Sequence, residues 1–547
     1  MEEKKYLLAI DFGNTNIKAA VYDPTKGLKS NQSEFARVVP LKLSKGQDIV
    51  LPNIAHITKE KTIIGNGNGL DDATHVQGVK SHLTKDNWEI FVQQRNSTMN
   101  AVEIMAEELE WTYQTAKKQC MADFEKVIIT VPVCFSEVQK LRVRKAAEKI
   151  PCPHVVIATE PFAGLFSCWQ IFETAQNPFH ALVFDIGGGT LDMCVFHIQP
   201  GKPSEVTVLA SKGITFAGNE ITQVLYDTYL QPILEPVITK QSQNELNIRF
   251  LQNPNIPAQD KMPDSENYSR AENTFLKDVR QKWMSEVNLF KEYICYAAED
   301  PDEAVSFSEN FYDTDLTQDV SVSYQQFEEM LEQSGIRQQI QQAVEDMLEP
   351  DLILKEEIQK IIMIGGTSRI PYFQKVLKDV LEIPEEKQRD YFLQLEDEAK
   401  FNAVSVGAAV FLCNPEGAFR VKERPAYEIG MVKENRYESF RSMYQGICDP
   451  TNYEPVLPEI HPDGGLVLKM YQLFEDTHLF RNADKTPEEF AKEAVYMGCF
   501  HLPSSDFEAG REYFMSLCTD KDGFLFANFC EDATNTNPKQ IYLTMEV

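Results

Sequence analysis

The stretch FDIGGGTLDMCVF, Phe184–Phe196, sets three consecutive glycines, Gly187, Gly188 and Gly189, between two apolar runs, with Asp185 and Asp192 on either side. Glycine is poorly suited to a strand interior, because it has the most backbone freedom to lose on folding. A turn of three makes sense if several backbone N–H groups must converge on one anion with no Cβ in the way. Thr190 would add a hydroxyl donor. Two carboxylates beside a polyphosphate would repel it unless a hard cation lies between them. Mg2+ takes one or two carboxylates, several waters and phosphate oxygens, so the expected ligand is a magnesium nucleotide. DFGNTN, starting at Asp11, offers a matching carboxylate and turn. In IIMIGGTSRIP a buried strand ends at Gly365-Gly366 just before a helix, a turn where a nucleoside can rest against bare backbone. No G-x-x-x-x-G-K-[ST] occurs, so this is not a P-loop, and GNGNG from Gly65 lacks the G-x-G-x-x-G spacing and reads as a turn.

The elements that must position these residues are short β-branched runs. YLLAI, VIITVPV, HVVIAT, ALVFDI, VTVLAS and IIMIGG alternate with longer segments of helical spacing, the pattern of an α/β fold with buried central strands. Ser136 followed by Gln139 forms a capping box opening a helix, and Pro161 suits a first helical turn. LLAIDFGNTNIKAAVYD and ALVFDIGGGTLDMCVFH share one plan: apolar strand, Asp-x-Gly, small polar residues, apolar strand. Two such hairpins far apart predict two similar halves facing one site. Gly407-Ala408-Ala409 lies in a helical stretch and predicts close helix packing. Residues 240–275 read as a polar insertion. From Asn414 the helical period fades, and GLVLKMYQLFE, REYFMSLCTD, GFLFANFCED and KQIYLTMEV read as strands, interrupted by one helical piece, TPEEFAKEAV. The division expected is 1–415 and a small β domain over 416–547.

At 547 residues the chain is too long for one core. A formal net charge of −30 argues against coating nucleic acid or anionic membrane. Eleven scattered cysteines include no C-x-x-C, so buried thiols are expected rather than a zinc site. The start, MEEKKYLLAIDFGN, has no signal-peptide apolar region, and no run of eighteen apolar residues appears. The expectation is a reduced, soluble, cytoplasmic protein.

Taken in order, IDFGNTN, VIITVPVCFSEVQKLRVRKAAE, IATEPFAGLF, FDIGGGTLD, FAGNE and IIMIGGTSRIPYFQKVL resemble the seventy-kilodalton heat-shock chaperones, within the actin, hexokinase and chaperone ATPase superfamily. The likeness spans most of 5–412. It implies a duplicated actin-like, ribonuclease H-like ATPase domain of two lobes, and a β-sandwich in which MGCFHLPSSDFEAGREYFMSLCTDKDGFLFANFCED resembles half of a peptide-binding domain. The helical lid that normally follows is expected to be missing. Position by position, the resemblance implies that Asp11, Asp185 and Asp192 hold hydrated Mg2+ and position the attacking water. It makes Glu160 an orienting group and Lys80 the catalytic lysine at the γ-phosphate. Gly13, Asn14, Thr15 and Gly187 to Thr190 would contact phosphates of ATP or ADP. Gly218, Gly365, Gly366, Thr367 and Arg369 would frame ribose and adenine, with Lys291 as the adenine stem.

Three departures stand out. Asn14 replaces a usual threonine, which implies slower hydrolysis. The adenine clamp around 281–295 matches poorly. The interdomain linker, FRVKERPAYE, carries Lys422, Glu423, Arg424 and Pro425 where docking leucines would sit, which implies weak coupling between the domains. HPD at His461–Asp463 is the co-chaperones' signature tripeptide, but no basic helix precedes it, and HPDGG reads as a turn. The leading expectation is an ATP-binding, slowly hydrolysing, monomeric chaperone that takes unfolded or extended polypeptide, with a co-chaperone or nucleotide-exchange factor as further partner. A nucleotide-controlled, actin-like scaffold and a small-molecule kinase remain open alternatives at this point.

Overall fold

The computed structural model describes residues 5–29, 32–43, 51–65, 73–84, 88–233, 286–310, 317–348, 353–393, 395–414, 417–422, 427–441, 453–461, 465–473, 485–519, 525–532 and 538–544. The expected insertion at 240–275, the linker residues 423–425 and positions 462–464 lie outside them.

Lobe I is built from β1 (Tyr6–Phe12), β2 (Asn16–Tyr22), β3 (Val38–Leu41), α1 (Ala101–Cys120), β4 (Phe124–Val131), α2 (Glu137–Ala147), β5 (Val155–Thr159) and α3 (Glu160–Ser167). Its sheet runs β5-β4-β1-β2-β3. Lobe II repeats the plan with β6 (Phe179–Ile186), β7 (Leu191–Gln199), β8 (Ser204–Ile214), α4 (Gly218–Leu225), β9 (Ile358–Ile364), α5 (Pro371–Val380) and α6 (Asp397–Cys413). Each lobe centres on an antiparallel hairpin, β1–β2 or β6–β7. Each hairpin is flanked by one further antiparallel strand and, on the other side, by a parallel one, β4 or β9. The internal echo in the sequence is therefore a duplication of the fold.

Local chemistry sets the helix ends. The Ser136 hydroxyl accepts the Gln139 N–H at 3.2 Å, and Gln139 Oε1 accepts the Ser136 N–H at 2.8 Å, so the expected capping box forms. Pro161 sits in the first turn of α3. An apolar core fills the space between the two sheets, where α3 and α6 cross. A Cβ on Gly407 would collide with the Ala163 carbonyl of α3, and Ala408 and Ala409 are fully buried. The small residues permit the close approach expected of them.

The linker departs from expectation. Phe419–Lys422 forms β10, which pairs in parallel with β8 and extends the lobe II sheet to β9-β6-β7-β8-β10. Its buried anchor is Phe419, upstream of the charged residues. The ring is stacked on Phe35 at 5.2 Å and lies 4.8 Å from Phe166 and 5.0 Å from Phe172 between centroids. Lys422, at the strand end, stays exposed and reaches Glu205 at 3.6 Å. Docking of Phe419–Lys422 therefore does not bury Lys422, while Glu423 and Arg424 lie outside the described residues.

The remaining chain forms a β sandwich. One sheet holds β11 (Glu428–Lys433), β12 (Arg436–Arg441), β14 (Glu459–Ile460), β15 (Leu466–Leu473) and β16 (Val495–Leu502). The other holds β13 (Glu454–Val456), β17 (Tyr513–Thr519), β18 (Leu525–Cys530) and β19 (Lys539–Tyr542). Their inner faces share Ile429, Met470, Phe500, Met515 and Phe529. The helical piece is α7 (Pro487–Glu493), capped by Thr486. The His461 N–H donates to the Gly465 carbonyl at 2.8 Å, between the paired strands β14 and β15. Among the described residues, no helix is long and apolar enough to cross a membrane.

Candidate functional site

The two hairpins bring their acidic ends together. Asp11 lies near the end of β1, directly opposite Lys18 on β2; Asp185 lies near the end of β6, directly opposite Asp192 on β7. All four are nearly out of solvent, with side-chain or residue exposures of 14% or less. Lys18 Nζ donates to Asp11 Oδ2 at 2.7 Å, and the Thr130 hydroxyl donates to Asp11 Oδ1 at 3.4 Å. The Val133 N–H donates to Asp192 Oδ1 at 2.8 Å, while Asp192 Oδ2 is buried with no hydrogen-bond partner.

Glu160, first residue of α3, enters from the crossing helix. Lys80, on the short 3-10 helix Val79–Thr84, places its Nζ 2.5 Å from Glu160 Oε1 and 5.6 Å from the Phe135 ring centroid. Burial, then the charges of Glu160, Asp192 and Asp11, holds Asp185 protonated well above the usual carboxylate range. Burial and Glu160 push Asp192 up to about 7. Burial likewise raises Glu160, against the opposing pull of Lys80. Carboxylates crowded until their pKa values rise are a site short of positive charge. With the orphaned Asp192 oxygen, this fits a divalent cation. Among the described residues, no three His, Cys, Asp or Glu side chains converge closely enough to ligate a metal directly. An ion here would keep its waters and be held through them, as Mg2+ prefers.

The two hairpin turns meet tip to tip. The Gly187 N–H donates to the Thr190 carbonyl at 3.1 Å and closes the turn. A Cβ on Gly188 would collide with the Thr15 hydroxyl, and one on Gly189 would lie 3.3 Å from Asn14. Asn14 Oδ1 accepts the Ser81 N–H at 3.2 Å, tying this tip to the helix that carries Lys80. The Thr15 hydroxyl donates to Asn219 Oδ1 at 3.4 Å, and Asn53 Nδ2 donates to the Gly13 carbonyl at 2.8 Å.

The third glycine turn joins the same network. The Gly218 N–H and the Thr367 hydroxyl both donate to the Gly187 carbonyl, at 3.0 and 2.8 Å. Gly365 has φ +85°, and a Cβ there would strike the Ile186 carbonyl and the Asp185 carboxylate, so the turn admits only glycine comfortably. It leads through Gly366 into the turn bearing Arg369. The Arg369 guanidinium lies between the rings of Tyr296 and Phe401, 5.3 and 5.1 Å from their centroids, and donates to the Tyr296 hydroxyl at 2.9 Å. Lys291 is buried, and its Nζ donates to the Gly218 carbonyl at 2.9 Å and the Thr222 hydroxyl at 2.8 Å. Burial lowers it to about 8.

The structure thus gathers the residues named from the sequence around one cleft. Sequence reasoning missed Lys18, Asn219, Tyr296 and Phe401. For Lys18 a signal existed: it stands at the same offset from Asp11 as Asp192 does from Asp185.

Residues 49–255 and 298–424 match the family described as Hsp70 protein. Chaperone protein DnaK of Ureaplasma parvum serovar 3 is 22% identical over 409 residues, covering 74% of this chain and 58% of the relative. Chaperone protein dnaK of Cyanidium caldarium is 25% identical over 393 residues, 69% of this chain and 57% of the relative. A chaperone protein HscA homolog of Rickettsia felis is 25% identical over 244 residues, 42% of this chain and 36% of the relative. The matched region spans little more than half the length of the DnaK relatives.

Proposed function

The chain belongs to the Hsp70 protein family, and on that premise we propose that it is an ATP-driven chaperone. It binds ATP or ADP with Mg2+ between its two lobes, hydrolyses ATP slowly, and takes unfolded or extended polypeptide in its C-terminal sandwich. Co-chaperones or exchange factors are the further partners proposed. The ATPase unit is assigned to 1–415, with β10 docked on its edge, and the sandwich to the rest of 416–547.

One observation carries this reading: Asp11 and Asp185 end equivalent hairpins in two lobes and face a buried Lys80–Glu160 pair. Hydrated Mg2+ would be held by Asp185 and Asp192, with Asp11 across the cleft, and would neutralise polyphosphate charge. The chain's own groups do the rest. The N–H groups of Gly187, Gly188 and Gly189 and the Thr190 hydroxyl would cradle phosphate, as would Gly13, Asn14 and Thr15. Lys80 would be drawn from Glu160 toward the γ-phosphate, where its charge offsets what develops as the bond breaks. Glu160, released, would orient the attacking water. Gly218, Gly365, Gly366, Thr367 and Arg369 would frame the nucleoside, with the stem of Lys291 beside the adenine and its Nζ fixed on α4.

The test pairs two assays on the full chain: phosphate release from ATP in magnesium, and anisotropy of a labelled extended peptide. Slow release with peptide binding supports the proposal. ATP-dependent sedimentation without peptide binding would favour a scaffold instead, and a phosphorylated small-molecule product would favour a kinase.

A further inference from the structure

The two nucleotide hairpins match in plan and differ in charge. On lobe II, Asp185 faces Asp192 across the strands. On lobe I, Asp11 faces Lys18. Lys18 therefore holds, in the first hairpin, the position that a second carboxylate holds in the other.

Its neighbours on β2 explain why the side chain reaches the cleft. Ile17, Ala19 and Val21 face the lobe I core, so Lys18 takes the opposite face, at the cleft end of the strand. Its Nζ is 2.7 Å from Asp11 Oδ2, with side-chain exposures of 14% and 5%. Asp11 is the carboxylate that meets its charge in this buried setting. A buried lysine persists as an ion only with such a partner.

The charge balance of the cleft follows. Four carboxylates, Asp11, Asp185, Asp192 and Glu160, meet two ammonium groups, Lys18 and Lys80. Lys80 pairs with Glu160 and Lys18 with Asp11. What remains uncompensated is the Asp185–Asp192 pair of lobe II, with the orphaned Asp192 oxygen.

We propose that Lys18 is a built-in counter-ion of the nucleotide cleft. It keeps Asp11 in an ion pair, confines a divalent ion to the Asp185–Asp192 side, and lets the site retain nucleotide when divalent ions are scarce. The proposal rests on the nucleotide reading above.

The experiment measures the affinity of the full chain for a fluorescent ADP analogue, in magnesium and in EDTA. It compares the natural chain, Lys18→Met and Lys18→Asp. An opposite charge a few ångströms away, at protein-like dielectric, is worth about one or more powers of ten in affinity. The natural chain should lose about tenfold or less on chelation, and Lys18→Met at least about tenfold more than that. Lys18→Asp, which copies the lobe II pattern, should lose the most. It should also melt at clearly higher temperature with Mg2+ alone, without nucleotide, where the natural chain shifts little. Equal chelation penalties in all three chains would overturn the proposal. So would a loss of more than about a hundredfold in the natural chain itself, a result that needs no variant to fold. Failure of the natural chain to bind the analogue in either condition would instead refute the nucleotide reading, and this inference with it.

Discussion

The hydroxyl of Tyr427, at the entrance to the sandwich, donates to the buried carboxylate of Glu137 at the start of α2 in lobe I. Lys140 shares that carboxylate at 2.7 Å and lies 5.2 Å from the centre of the Tyr427 ring. The Glu137 N–H donates to Gln472 of β15 at 2.9 Å. Five residues beyond Glu137, Arg142 of the same helix donates to the Leu83 carbonyl at 2.6 Å, on the short helix that carries Lys80. One helix therefore touches the sandwich at its start and, from its middle, the short helix that carries the candidate catalytic lysine.

Tyr427→Phe deletes one hydrogen bond to a buried charge, an interaction worth about 1.5–3 kcal/mol. Docking of the sandwich on α2 should weaken by about tenfold or more. Hydrogen–deuterium exchange should show faster exchange in both Glu137–Ala147 and Glu428–Lys433. Unchanged protection in both would mean the contact does not hold the two units together.

Lys80→Ala removes an ammonium group and Asp185→Asn a candidate ion-holding carboxylate from the cleft, while both leave its backbone turns intact. Loss of one well-placed electrostatic group costs on the order of 10²–10³ in rate. Single-turnover hydrolysis of ATP should fall by about that factor in each variant. Rates equal to the natural chain in both would contradict the roles assigned to these residues.

Phe419→Ala opens a cavity among Phe35, Phe166 and Phe172. Truncating a buried phenylalanine costs about 3–5 kcal/mol, more than a four-residue parallel strand is expected to recover. β10 should leave the sheet, and limited proteolysis should cut between the lobes and the sandwich much faster than in the natural chain. Equal cleavage rates would show that the backbone ladder alone keeps β10 in place.

Glu108 lies inside the lobe I core on α1, and its Oε2 has no hydrogen-bond partner. Burial, then the nearby charge of Glu107, raises its pKa well above the usual value. In the unfolded chain it ionises at its ordinary pKa, while in the folded chain it stays protonated. Its contribution is therefore present at low pH and is lost as pH rises toward the folded value. Glu108→Met removes both the orphan oxygen and this drain, at a cost of the order of 1–3 kcal/mol to the natural chain. Urea midpoints should rise in the variant, and by more at pH 8 than at pH 5. A gain that does not grow with pH would contradict the ionisation account.

The parts of the site that could be read from sequence were those fixed by local chemistry. Asp-x-Gly at a strand end, a run of glycines and a capping box each follow from a few adjacent residues, and Asp11, Gly187 to Gly189 and Ser136 took the expected places. Register was harder. Lys18 matters because it falls opposite Asp11, which requires the length of the β1–β2 turn to be known. Phe419 matters because Phe35, Phe166 and Phe172 come from three distant segments to receive it. The β11–β12 hairpin also went unread. Its turn residues, Glu434 and Asn435, adopt φ of 49° and 64°, a conformation usually signalled by glycine.

β10 has one further consequence. Without it, the Ser204–Thr207 end of β8 would present unpaired N–H and C=O groups at the rim of lobe II, the kind of surface on which other chains can pair. Whenever the tether to the sandwich lifts away, that adhesive rim is bared, in proportion to the time spent undocked. While docked, the connecting segment occupies the backbone groups of those four residues that a second chain would otherwise pair with.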